Sequence, residues 1–249
     1  MENRIDNLAV MWGCHYAGTY YTAMSTRLNA DEASYIVKNC GAKALIVSPY
    51  VSEMATAINS TAPESLVRLS VGGPVDGYTS LETELPDASD DPLEDRLEAT
   101  DMLYSSGTTG RPKGVKVPSN GKPLGTGDGA TTLAQKLFGF ADDFTYLSPG
   151  PFYHAAPLRF CRAALRCGGH VVQLQRVDPH TALQAIETHE VTTSQWVPTM
   201  FIRMLKLPED ERGRYDLSSL TVSRYEMRQS AHTRSGSPRR CLLASARPN

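Results

Sequence analysis

The residues best suited to chemistry form one unbroken run, Tyr104-Ser105-Ser106-Gly107-Thr108-Thr109-Gly110-Arg111-Pro112-Lys113-Gly114. Its three glycines allow backbone N–H groups to come close to an oxyanion, and its four Ser/Thr hydroxyls and two cations match phosphate oxygens. A phosphate cradle of the Walker type needs Gly-x-x-x-x-Gly-Lys-Ser/Thr opening a helix. Here Lys113 is followed by Gly114 and by Val115-Lys116-Val117, which is strand-like. Asp101-Met102-Leu103-Tyr104 also reads as a strand, so the run is expected to join two strands, with Pro112 stiffening the turn.

The chemistry expected of such a loop is closure on the β- and γ-phosphates of ATP. Thr108, Thr109 and the backbone would donate hydrogen bonds, and Lys113 would act as a point charge. The competing reading is an exposed Ser/Thr/Gly linker. The run specifies far more positions than a lone Gly-x-Gly-x-x-Gly, and that favours the phosphate loop.

The flanking elements alternate in type. Apolar spacing from Leu8 to Tyr16 fits a helix. Asn29 and Glu32 form a capping-box pattern for a helix through Tyr35, Ile36 and Val37, stopped by Gly41. Ala44–Val47 reads as a strand, Val51–Ser60 as a helix and Leu66–Leu69 as a strand. Residues 72–100, rich in Gly, Pro, Asp and Glu, read as a surface connection, and Lys116–Gly129 as loop. Beyond them come a helix over Thr131–Phe140, a strand over Phe144–Leu147, a helix over Phe160–Arg166 and a strand over His170–Leu174. Asp178 caps the next helix, followed by a strand over Ser194–Val197 and a helix over Met200–Leu205. This rhythm predicts an α/β fold with largely parallel sheets.

The 249 residues are 41% hydrophobic, enough for a core, with a net charge of -2 that makes no case for nucleic acid or membrane binding. The sequence shows no integral membrane segment and no signal pattern, so a cytoplasmic protein is expected. Five cysteines without a Cys-x-x-Cys pair read as reduced thiols, and the histidines lack metal-ligand spacing, so no metal ligand is assigned. Arg159, Arg162 and Arg166, spaced by 3 and 4, read as a solvated helix face rather than a basic stripe for phosphates. Residues 223–249 carry a charge of +5 against -7 for residues 1–222, and this Arg/Ser-rich tail reads as disordered. It lacks aromatic interleaving, which argues against nucleic acid.

Ser-Gly-Thr-Thr-Gly-x-Pro-Lys-Gly, at Ser106–Gly114, resembles the phosphate loop of the adenylate-forming enzymes: acyl-CoA synthetases, luciferases and peptide-synthetase adenylation domains. Met11-Trp12-Gly13 through Gly18, Asn29–Ala33 and Asn39–Lys43 look like the stretch that precedes that loop in bacterial fatty-acyl-CoA synthetases. Tyr146-Leu147-Ser148-Pro149-Gly150-Pro151-Phe152-Tyr153-His154 resembles the family's aromatic-His element, and Trp196–Met200 a segment lining the same region. The resemblance implies ATP-dependent activation of a fatty acid to an acyl-adenylate, then transfer to coenzyme A, with Mg2+ on the phosphates. It assigns Ser105, Ser106, Gly107, Thr108, Thr109, Gly110, Arg111, Pro112 and Lys113 to ATP, and Phe152, His154 and Trp196 to the acyl and pantetheine end. His154 would shape and gate the pocket, not transfer protons; a buried core histidine is the alternative, and core packing is the alternative for Trp196.

The same resemblance implies that the chain starts and stops within the family's large N-terminal domain, spanning residues 1–222 of it. The Gly-Ala-x-Pro, Tyr-Gly-x-Thr-Glu and Thr-Gly-Asp elements of the family, and the small C-terminal domain with its lysine, are not found, so no catalytic residue is assigned and activity is expected to be impaired. A non-catalytic nucleotide- or acyl-binding module, or an inert truncated product, is the alternative expectation. The change of composition near residue 222 is expected to reflect a frameshift. Genomic reads across codons 215–230 should then show an intact alternative frame rich in family motifs; a single reproducible frame would refute this.

Overall fold

A computed structural model describes residues 1–94, 96–105, 111–119, 121–141 and 143–225, the last four by their backbone. The chain divides into two compact units: Met1–Gly127 with Phe152–Ala155, and Asp128–Pro151 with the chain from Ala156 onward.

In the first unit, α1 (Asp6–Tyr16) buries Leu8, Met11 and His15, positions spaced by 3 and 4. The expected capping box starts α2 (Ala30–Asn39): the Asn29 side chain accepts from the Glu32 N–H, and the Glu32 carboxylate accepts from the Asn29 N–H. Gly41 ends the helix at a φ of +67°, a left-handed geometry that glycine adopts without a Cβ clash. α2 buries Ala33, Ile36 and Val37. Then come β1 (Ala44–Val47), α3 (Ser52–Asn59), β2 (Val67–Ser70) and the short β3 (Thr79–Ser80), which runs into α4 (Leu81–Glu84). The strands lie in the order β1-β2-β3, all parallel, with Ala44 opposite Val67 and Val47 opposite Ser70. Val47, Val51, Ala55 and Val75 pack together beside this sheet.

Residues 72–100 are more than the surface connection their composition implies. Val75 and Ala99 are buried, and Glu98 is only 4% exposed. Glu98 Oε2 lies 2.7 Å from His15 Nε2 on α1. Its other oxygen accepts the N–H groups of Gly125 and Gly127 at 2.9 and 3.0 Å. A carboxylate removed from water must be satisfied in this way, because burial without partners costs several kcal/mol. Isolated apolar residues and one buried acid carry no periodicity, so the composition of the stretch conceals the contact.

β4 (Met102–Ser105) and β5 (Lys113–Lys116) form an antiparallel pair.

The second unit holds a four-stranded parallel sheet in the order β7-β6-β8-β9, made of β6 (Thr145–Ser148), β7 (His170–Gln173), β8 (Thr193–Trp196) and β9 (Val222–Tyr225). Its helices are α5 (Gly129–Phe138), α6 (Ala155–Arg166), α7 (Pro179–Thr188), α8 (Pro198–Leu205) and the single-turn α9 (Glu209–Arg212). Asp128 caps α5 by accepting from the Thr131 N–H at 2.7 Å, and Asp178 caps α7 in the same way, with Pro179 at the first helical position. Leu147, Leu183, Ile186, Val191, Trp196 and Met204 form the centre of the core. Phe138, Phe140, Phe144, Tyr146 and Phe160 add a connected set of aromatic contacts, at 4.5 Å between the Phe140 and Phe144 rings.

Two expectations change here. Arg162 is not on a solvated face: it is 4% exposed and its Nη2 lies 2.8 Å from Asp128 Oδ2, so spacing alone misassigned it. The sheet also continues past residue 222, since β9 pairs with β8 through Tyr225. Backbone pairing there outweighs composition. The rest of the Arg/Ser-rich tail, residues 226–249, lies outside the described residues.

Replacing Glu98 with Ala should cost about 3–5 kcal/mol, since it breaks a buried pair and strands two N–H donors; urea denaturation measures this, and a loss below about 1 kcal/mol would contradict the clamp. Burial pushes the Cys161 thiol up to about 12. Cys161 should therefore resist alkylation until the protein unfolds. An unfolded thiol loses its proton near ~8.5. The native state keeps that proton, so stability should fall as pH rises through the interval between the two values, which denaturation midpoints at stepped alkaline pH can check against a Cys161→Ala variant.

Candidate functional site

The phosphate-type run sits on a β-hairpin, as expected from its flanks, and not at a strand-to-helix junction. Across the ladder Met102 faces Lys116, Leu103 faces Val115, Tyr104 faces Gly114, and Ser105 faces Lys113. Ser105 and Lys113 thus stand opposite each other at the neck of the turn, both exposed. Ser106, Gly107, Thr108, Thr109 and Gly110 lie outside the described residues. Pro112 is buried and Arg111 is exposed, its guanidinium 5.3 Å from the centre of the Tyr35 ring on α2.

Three contacts fix the hairpin's stem. The Tyr104 hydroxyl donates to Asn39 Oδ1 at 2.6 Å. Burial pushes the Tyr104 hydroxyl up to about 12, with smaller contributions from Cys40 and Tyr35, so the group stays a protonated donor at neutral pH. Gly114 packs beneath Tyr104 and Met102: a Cβ there would lie 2.9 Å from Tyr104 Cζ and 2.5 Å from Met102 Cε. At the far end Lys116 Nζ sits 4.4 Å from the centre of the Tyr20 ring, while the Tyr20 hydroxyl donates to the Val117 carbonyl and accepts from the Ser119 N–H, both at 2.9 Å. This stem leaves Lys113 and Ser105 facing water on a stiff base, an arrangement able to present a point charge and a hydroxyl to an oxyanion.

Phe152 and His154 belong to the same compact unit as the hairpin. Phe152 is buried, and its N–H donates to Asn3 Oδ1 at 3.1 Å. His154 is exposed with its ring 4.4 Å from that of Tyr153, so the buried-core reading of this histidine does not describe it. Trp196 lies in the other unit, 1% exposed, its indole N–H donating to Ser194 Oγ and its ring 6.0 Å from Phe201. It packs in the core and also lines a cavity of about 20 Å³ with Tyr146, Ser148, Gly150, Gln195 and Met200. That space holds about one water, far below the several hundred Å³ of a small-molecule site.

The sequence reading missed Tyr20, Tyr35, Asn39 and Glu98 as supports of the hairpin. Tyr35 and Asn39 are four apart on a helix and share a face; an aromatic and an amide beside the apolar stripe of α2 were the available signal. Nothing local marked Glu98, because its partners are 83 residues before it and 27 and 29 after it.

The pattern of the AMP-binding enzyme family matches this chain over residues 1–245. A feruloyl-CoA synthase from an Amycolatopsis species is 30% identical over 217 residues, covering 86% of this chain and 40% of that protein. A medium/long-chain-fatty-acid–CoA ligase of Mycobacterium tuberculosis is 26% identical over 237 residues, covering 90% of this chain and 39% of that protein. The chain therefore spans about 40% of the length of these curated relatives. Among solved structures, a Mycobacterium tuberculosis fatty acyl-CoA synthetase superposes with a TM-score of 0.69 at 20% identity, over 90% of this chain and 43% of that one. A luciferase-like enzyme from Zophobas morio superposes with a TM-score of 0.73 at 18% identity, over 90% and 52%. At those identities the superpositions establish the fold, with its parallel sheets. A sequence pattern shared across residues 1–245 establishes more: this chain is a member of the AMP-binding enzyme family.

Proposed function

We propose that the hairpin turn between Ser105 and Lys113 binds the phosphates of ATP within an acyl-CoA ligase that activates a fatty acid. The observation that carries this reading is the Ser105–Lys113 pairing across the neck of the turn, which stations a hydroxyl and a cation side by side at its root. Lys113 supplies charge, and the hydroxyls and N–H groups of residues 105–110 supply donors. The family implies ATP, Mg2+ and coenzyme A; their binding by this chain is part of the proposal. Phe152, His154 and Trp196 are assigned to the acyl end, and the carboxylate is a fatty acid, in keeping with the name of the mycobacterial ligase. The AMP-binding fold is assigned to residues 1–222 together with the strand that continues through Tyr225. No helix among the described residues is long and apolar enough to cross a membrane, and Cys14, Cys40, Cys161 and Cys167 are free thiols, which supports a cytoplasmic setting.

Binding and turnover separate in this reading. Adenylation relies on several groups orienting the carboxylate and stabilising charge together. The family's motifs for magnesium, ribose and the lysine are not found in these 249 residues. The chain alone therefore binds nucleotide without appreciable turnover. Calorimetric titration should detect ATP, and Lys113→Ala should weaken it about tenfold, the effect of one charge-assisted hydrogen bond. Fatty-acid-dependent ATP–pyrophosphate exchange should not exceed the Lys113→Ala control. Exchange clearly above that control would refute the lack of turnover, and equal ATP affinity in the two proteins would refute the role of Lys113.

A further inference from the structure

We propose that Tyr35 and Asn39, one turn apart on α2, are positioning residues that hold the two limbs of the phosphate hairpin; this rests on the reading of that hairpin as an ATP-phosphate loop. A two-stranded ribbon is marginal by itself in water. β5 is exposed along its whole length, so its place depends on what grips it.

The grip comes from a helix whose own position is secure. The capping box fixes its start, and Ala33, Ile36 and Val37 bury its inner face. Tyr35 and Asn39 extend from that fixed backbone to different limbs. Asn39 Oδ1 accepts the Tyr104 hydroxyl on β4, and the Tyr35 ring carries the Arg111 guanidinium just ahead of β5. The first contact reaches β5 as well. Tyr104 faces Gly114 in the ladder and lies so close over it that a methyl group would not fit without movement. A chain of contacts thus runs from α2 through Asn39 and Tyr104 to Gly114, the neighbour of Lys113. The second contact holds Arg111 two residues from Lys113 on the other side. Lys113 is placed between two points tied to one helix, while Tyr20 secures the distant end of β5 through Lys116.

Amide hydrogen exchange and ATP calorimetry on the 249-residue protein test this. Tyr35→Leu and Asn39→Leu should each speed exchange at residues 102–105 and 113–116 about five- to tenfold and weaken ATP binding by a similar factor, the loss of one exposed cation–π contact or one hydrogen bond. Amides of β1 and β2 should be unchanged. Tyr35→Phe keeps the ring face and Asn39→Asp keeps an acceptor, so both should restore wild-type exchange and affinity. Unchanged hairpin exchange in the leucine variants overturns the proposal, as does an equal rise in β1 and β2, which would mark a general structural role. Unchanged ATP affinity in leucine variants of a protein that binds ATP overturns the positioning role alone. Absence of ATP binding in the unsubstituted protein overturns the phosphate-loop reading and the positioning role with it.

Discussion

A buried carboxylate must be paired and hydrogen-bonded, and Glu98 meets that demand by tying three distant pieces of chain together. Its oxygens bind His15 on α1 and the N–H groups of Gly125 and Gly127. Four residues after Glu98 the strand β4 begins, and the glycines lie on the return path from β5. The stem of the hairpin therefore leaves from and returns to one desolvated polar knot. Such a knot adds little net stability relative to a well-packed apolar core, but it is intolerant of misregistration, because any slip strands a charge or an N–H. The cost of a wrong arrangement, more than the gain from the right one, sets the hairpin's root.

From that root outward the structure relies on weaker contacts. Tyr104 on Asn39, Arg111 on Tyr35 and Lys116 on Tyr20 are each worth on the order of 1 kcal/mol. Together they seat an otherwise exposed ribbon on α2 and on residue 20. The contacts are graded in strength, from the desolvated knot at Glu98 to the exposed pairs along the stem, with Lys113 at the outer end of the stem. The second unit is organised differently. Its parallel sheet is packed by aromatic and aliphatic side chains, and its buried cation, Arg162, is spent on Asp128 at the start of α5.

Much of the fold was legible because its signals are local. The capping box of α2, the Asp178 cap with Pro179, and the short apolar strands Ala44–Val47 and Thr145–Ser148 each declare themselves within a few residues. The hairpin was legible too, since a glycine after Lys113 and a strand-like triplet cannot open a helix. Arg162 was misread because a spacing of 3 and 4 gives a helix face but does not say whether that face meets water or an aspartate. Residues 72–100 were misread because single buried residues leave no periodic trace.

The sequence by itself determined the family, because it is written in contiguous residues whose types the chemistry constrains. It also determined that the loop joins two strands, through the residues directly on either side. Only the tertiary structure decided what holds that loop in place. The supports of the hairpin come from Asn39, Tyr35, Tyr20 and, beneath them, His15 and Glu98. These pairings form when the chain closes on itself over tens of residues, and no local preference of an asparagine, a tyrosine or a glutamate names its partner at that range.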